Sequence, residues 1–157
     1  MDTMVKSAEG LVVRSSVHVP LSVQEAFRLF TERINEWWPL DTHSVYEQRA
    51  RTVVLEPGID GRITETSNEG ETAEWGTVTA WEPPARLSFT WHPGQDGRVV
   101  TLVEVAFQAA DGGGTTVDLL HSGWEARGDR AAELMASYDT GWKYVLGRYA
   151  AGAERRS

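Results

Sequence analysis

From Thr52 to Ser122 the chain is a succession of short period-two runs, each closed by turn chemistry, and nothing else in it constrains the fold as strongly. The punctuation is Pro57-Gly58-Ile59-Asp60-Gly61, Ser67-Asn68-Glu69-Gly70, Pro83-Pro84, Pro93-Gly94-Gln95-Asp96-Gly97 and Asp111-Gly112-Gly113-Gly114. Proline and glycine clusters of this kind set turn dihedrals and end ladders. Strands are expected near 52–56, 61–66, 72–82, 86–92, 99–109 and 115–122. Within them Leu87, Phe89 and Trp91 fall on one face, as do Val103, Val105 and Phe107, and Val117, Leu119 and His121. Ser88, Thr90, Glu104, Gln108, Thr116 and Asp118 fall on the other, so one face is buried and one is wet. Leu11 to Val19 alternates in the same way and ends at Pro20, which brings the expected sheet to seven strands, mostly antiparallel and curved by its glycines.

Two helical regions complete the pattern. Ser22-Val23-Gln24-Glu25 fits a capping box, and Val23, Phe27, Phe30 and Ile34 recur at helical spacing. Their stripe runs on to Trp37 and Trp38, where Pro39 disfavours helical geometry at the preceding residue, so this helix or a second short one ends there. A long helix is expected from about Asp129 to Ala151. It carries Leu134, Met135, Tyr138, Trp142, Val145, Leu146 and Tyr149 on one stripe and Arg130, Glu133, Asp139, Lys143 and Arg148 opposite. Gly141 sits at the stripe's edge, which suggests a close approach to the sheet. The order is strand, helical pair, six strands, long helix. A curved sheet with one helix across its concave face does not close completely, and the gap is a cavity. The expectation is a single α+β domain over residues 1–157, with loose tails at 1–9 and 152–157.

Composition excludes several functions. A net charge of −8 with scattered Lys and Arg argues against nucleic acid, which demands a basic face. The absence of cysteine removes thiolate chemistry and fits a cytoplasmic setting. No apolar run approaches the ~20 residues of a membrane span, so no membrane insertion is expected. The four histidines His18, His43, His92 and His121 show no metal-binding spacing, and the Gly112 run opens a strand rather than a helix, so neither a metal nor a phosphate-binding cofactor is expected.

The segments FTERINEWWPLDTHSV, GTVTAWEPPARLSFTWHP, TLVEVAFQAADGGGTTVDLLHSGWE and YDTGWKYVL, taken in order, resemble the SRPBCC superfamily, also called START-like or Bet v 1-like. The resemblance runs from Val12 to Tyr149 and is nearest to the branch named after the activator of Hsp90 ATPase. It implies a helix-grip fold: two short helices and a long C-terminal helix gripping the sheet around a hydrophobic cavity. It also implies a choice of functions, since the superfamily holds lipid carriers, aromatic polyketide cyclases and co-chaperone domains. The extra N-terminal domain of the Hsp90 activator has no counterpart here, so the likeness is to a stand-alone domain.

Seven tryptophans are the unusual feature, far more than a core of this size needs. Plain packing is the expected role of Trp37 and Trp142, while Trp38, Trp75, Trp91 and Tyr138 divide evenly between packing and pocket lining. Trp75 and Trp81 share a strand face by parity. Asp41, His43 and Ser44 look like a triad but lie in one segment after a helix break, where turn capping and packing are the expected uses. His121 points inward near the end of its strand, either as a paired core histidine or as a polar anchor with Tyr138 as partner. Glu74, Glu104 and Asp118 alternate outward, so the strands offer no inward titratable partner. The resulting expectation is a binding protein, monomer or homodimer, that holds a small hydrophobic or aromatic ligand against Trp38, Trp75, Trp91, His121, Met135, Tyr138 and Trp142. A cyclase-like enzyme using the same cavity and an Hsp90 co-chaperone-type module are the alternatives; no catalytic set is evident.

Overall fold

The computed structural model describes residues 11–94 and 100–156; the loose tail expected at 1–9 lies outside them. Seven strands form one antiparallel sheet: β1 (Val13–Val19), β2 (Ala50–Leu55), β3 (Arg62–Ser67), β4 (Thr72–Glu82), β5 (Arg86–Trp91), β6 (Thr101–Ala109) and β7 (Thr115–Ser122). Their order is β1-β7-β6-β5-β4-β3-β2, so the last six form a meander and the first strand adds to its final edge. In the β1–β7 ladder Val13 faces His121 and Val17 faces Val117; in the β6–β7 ladder Val103 faces His121 and Phe107 faces Val117.

Helix α1 (Val23–Thr31) starts where the cap was expected, with the Ser22 hydroxyl accepting the Glu25 amide at 3.1 Å. The Glu25 carboxylate pairs with Arg28 at 3.3 Å. Helix α2 (Ile34–Trp37) is a single turn, and Trp38 leaves it in extended geometry ahead of Pro39. A short 3-10 segment, Trp124–Arg130, leads into α3 (Ala131–Glu154), which packs along β1. The helix extends beyond the expected end: Gly152 and Ala153 are buried within it, and Arg156 pairs with Glu36, so the segment expected as a tail from 152 begins as packed helix.

One aromatic core sits where α1, α2 and α3 meet the sheet. Phe30 contacts Trp37, Phe107 and Tyr149, and the Tyr149 hydroxyl donates to the Ala26 carbonyl at 2.7 Å, tying α3 to α1. Trp37 donates its indole N–H to the Leu29 carbonyl and is core, as its stripe implied. One sequence expectation about packing holds and one changes. The ladders slip twice along β4, opposite Ile63/Thr64 of β3 and between Val78 and Ala80, and the two slips cancel, so Trp75 and Trp81 both face the core as expected. Trp75 is buried among other tryptophans, whereas Trp81 is half-buried against Phe27, 5.2 Å between ring centres. Gly141 does not approach the sheet: a Cβ there would meet only His43 Cδ2, at 4.0 Å. The helix glycine that makes a close approach is Gly152, where a Cβ would lie 3.3 Å from that of Trp37.

Candidate functional site

Between α3 and the curled sheet lies a cavity of about 540 Å³. Four tryptophans from four elements form its wall: Trp38 after α2, Trp75 on β4, Trp91 on β5 and Trp142 on α3. Trp38 is central, with ring centres 4.9 Å from Trp75, 6.1 Å from Trp91 and 6.0 Å from Trp142. Trp91 lies 5.7 Å from Trp75 and 5.3 Å from Trp142. Mixed tilted and edge-on pairs at these separations are the favoured arrangements of aromatic rings.

Every indole N–H in this wall is already used by the protein. Trp38 donates to the His43 carbonyl at 2.7 Å and Trp75 to a Glu65 carboxylate oxygen at 2.8 Å. Trp91 donates to the Tyr138 hydroxyl at 3.3 Å and Trp142 to His121 Nδ1 at 2.9 Å. What the wall presents inward is therefore π surface without free indole donors. The polar lining comes from Thr42, His43, Ser44, Ser137 and Tyr138. Exposure rises toward this side, where Val45 is 38% exposed and Tyr144 is 48% exposed, so these residues form the mouth.

Of the seven residues singled out from the sequence, Trp38, Trp75, Trp91, Tyr138 and Trp142 line the cavity together. His121 and Met135 do not. Met135 is half-buried against the core. His121 points inward as expected but stands behind the wall, fully buried, with both nitrogens engaged: Nδ1 accepts from Trp142, and Nε2 meets Thr101 Oγ1 at 2.6 Å. Because the indole can only donate, Nδ1 carries no proton and Nε2 does. Burial, with a smaller contribution from nearby Arg127, lowers its pKa to about 3. The ring is a neutral bracket at ordinary pH, and Tyr138 touches it edge-on rather than through its hydroxyl.

Two features escaped the sequence reading. Glu65 is fully buried and faces inward with Ile63 and Ser67, although the strands were expected to offer no such carboxylate. It accepts from the Val45 amide at 2.8 Å, the Tyr46 amide at 2.9 Å and the Trp75 indole, and so pins the mouth loop to the cavity wall. Its phase with Ile63 was the available signal. The second is the segment Thr42 to Val45, which forms the rim of the cavity. Ser44 caps the following 3-10 turn by accepting the Glu47 amide at 2.9 Å, as a turn residue should. His43, expected to pack or face water, stacks on Tyr144 and also borders the cavity. Among the described residues no group of three or more His, Asp or Glu is placed to hold a metal ion, and no helix is long and apolar enough to cross a membrane.

The family model described as activator of Hsp90 ATPase homolog 1-like protein matches residues 20–151. The chain belongs to this family. With it comes the SRPBCC helix-grip fold, which solved structures of the family share. The Aha1 dimer from Colwellia psychrerythraea is similar over 91% of this chain and 96% of its own, with a TM-score of 0.67 at 15% identity. The anthrahydroquino-gamma-pyrone synthase Txn09, solved in complex with SUM, is 32% identical, with 88% of this chain and 94% of that one covered and a TM-score of 0.62. DynU16, from the dynemicin biosynthetic locus, aligns over 91% of this chain and 47% of its own, at 22% identity and a TM-score of 0.66. No curated protein matches the sequence.

Proposed function

We propose that this family member takes a planar, fused-ring aromatic molecule of polyketide type into the tryptophan-walled cavity. One observation carries the reading: four indole rings line a single cavity while all four N–H groups are bonded to the protein. Such a wall rewards flat, polarizable surface and offers nothing to a compact polar solute. Its volume of about 540 Å³ lies within the 300–1,000 Å³ typical of sites for drug-sized ligands. The synthase Txn09, whose named product is a fused ring system of this shape, is the relative that supports this ligand class.

The same likeness favours a second reading, in which the cavity folds its ligand for ring closure. Confinement in a reactive conformer can supply much of the rate in such a step without an acid–base pair, by removing rotational freedom before reaction. His121 has no part in it, since both its nitrogens are committed within the wall.

The test is a titration with anthraquinone-type compounds, read by tryptophan fluorescence and melting temperature. Binding is expected to quench fluorescence and raise the midpoint, because a ligand of the folded state stabilises it by mass action. If a panel of planar polycyclic aromatics leaves both signals unchanged, the reading fails. Turnover of any bound compound, followed by chromatography, separates the carrier from the cyclase.

A further inference from the structure

We propose that His43 determines specificity at the cavity mouth, by hydrogen-bonding a hydroxyl on the rim of the bound ring system. The inference rests on the ligand class proposed above and adds to it the contact that chooses among such ligands.

The His43 ring is held firmly. Its Nδ1 lies 2.7 Å from Thr42 Oγ1, and its face stacks on Tyr144 of α3 with centres 4.9 Å apart and planes within 19°. Its backbone is fixed on both sides: the amide donates to the Pro39 carbonyl at 2.9 Å, and the carbonyl accepts the Trp38 indole at 2.7 Å. A side chain fixed through ring and main chain is preorganised, so a contact made by it loses little to ordering.

The remaining nitrogen, Nε2, has no hydrogen-bond partner among the described residues. It neighbours Cδ2, the atom nearest to the place where Gly141 lacks a side chain; a Cβ there would be 4.0 Å from Cδ2 and within 4 Å of nothing else. The missing side chain thus leaves room beside this edge of the imidazole, and His43 and Gly141 both line the cavity. The other histidines are placed elsewhere: His18 bonds the Gly113 carbonyl, His92 lies beside Glu74, and His121 is sealed behind the wall.

The chemistry selects a hydroxyl. If Thr42 donates to Nδ1, Nε2 carries the proton and donates; if Nδ1 donates to Thr42, Nε2 accepts. A hydroxyl serves as partner in both cases, whereas a ring carbonyl serves in one and a bare C–H edge in neither. A ligand that covers this nitrogen without offering it a partner strips it of water uncompensated, so a ligand that brings no hydroxyl to this point binds more weakly.

The test compares anthraquinone with its beta-hydroxy derivative, whose hydroxyl is not tied internally to the quinone carbonyl, by fluorescence titration of the wild type and of His43→Phe. Phenylalanine keeps the stack on Tyr144 and removes both nitrogens. The wild type should prefer the hydroxylated compound by about fivefold to tenfold, the range of one net hydrogen bond. In His43→Phe that preference should vanish, the two compounds then binding within about twofold of each other. A variant that keeps the preference, or that weakens both compounds equally, overturns the inference and leaves the ligand class standing. If the wild type binds neither compound, the ligand class falls and this inference with it.

Discussion

Trp142 donates its indole N–H to Nδ1 of His121 across 2.9 Å, which locks the imidazole in the Nε2-protonated neutral form while Thr101 takes the other side. A wall residue of the cavity is thereby aligned by a buried ring that is itself unavailable to ligand. Burial away from solvent, with a smaller contribution from Arg127, lowers its pKa to about 3, and a proton on Nδ1 would also set a second donor against the indole N–H.

This depressed value makes His121 an acid-sensing element of stability. The unfolded chain binds a proton near pH 6.5 and the folded one only near 3, so between those values the unfolded state holds more protons and stability falls as pH falls. From pH 7 to pH 4 the loss assigned to this residue is on the order of 3 kcal/mol, at about 1.4 kcal/mol per pKa unit. Urea denaturation at both pH values, on the wild type and His121→Gln, isolates it. The variant should be weaker at pH 7 but lose less on acidification. Equal losses in both proteins would sink the assignment.

Glu65 should prove the most sensitive polar position near the cavity. Its carboxylate accepts from three donors, two of them amides of the mouth loop. In Glu65→Gln an NH2 group must face at least one of those N–H groups, which costs about 1–3 kcal/mol and strands a buried donor. The expected result is a lower denaturation midpoint together with faster amide exchange at Val45 and Tyr46 than in the strands. An unchanged midpoint would show that the loop is held by other contacts.

The turn clusters placed the strands within a few residues, and Ser22 and Pro39 marked the helix ends, because these are local effects: a hydroxyl over an adjacent amide, a ring against the preceding backbone. The inward aim of His121 was legible from alternation with Val117 and Leu119. Whether it faced the cavity or stood behind its wall was not, since Thr101 and Trp142, which close around it, belong to other elements. Glu65 was in phase with Ile63, yet a carboxylate is ordinarily a surface group, and only donors brought from ten and twenty residues away make its burial tolerable. The two slips along β4, which let Trp75, Val78 and Trp81 all face the core, left no mark on the alternation of residue types.

Two of the three glycines of α3, Gly141 and Gly152, should respond differently to alanine. Helical glycine is worth about 1 kcal/mol less than alanine, and at Gly141 a Cβ meets nothing nearer than 4.0 Å, so Gly141→Ala is expected to raise the melting temperature. At Gly152 the same methyl comes to 3.3 Å from the Trp37 Cβ inside the core, which offsets the gain. Thermal unfolding of the two variants checks the contrast. A Gly152→Ala variant stabilised as much as Gly141→Ala would show that α3 can shift away from Trp37 at no cost.

Stability and ligand binding should separate between Tyr149 and Trp38. Tyr149 is buried at the far end of α3 from the mouth, does not line the cavity, and joins α3 to α1 through its bond to the Ala26 carbonyl. Tyr149→Phe removes that bond and is expected to cost about 1 kcal/mol in denaturation, with affinity for planar aromatics unchanged. Trp38→Phe removes part of the central wall and the donor that fixes the His43 carbonyl, so stability and affinity should both fall, the latter by about tenfold or more. Fluorescence or calorimetric titration of the two variants beside their denaturation curves decides the matter. If Trp38→Phe binds planar aromatics like the wild type while Tyr149→Phe does not, the ligand site lies at the other end of α3, away from the tryptophan wall.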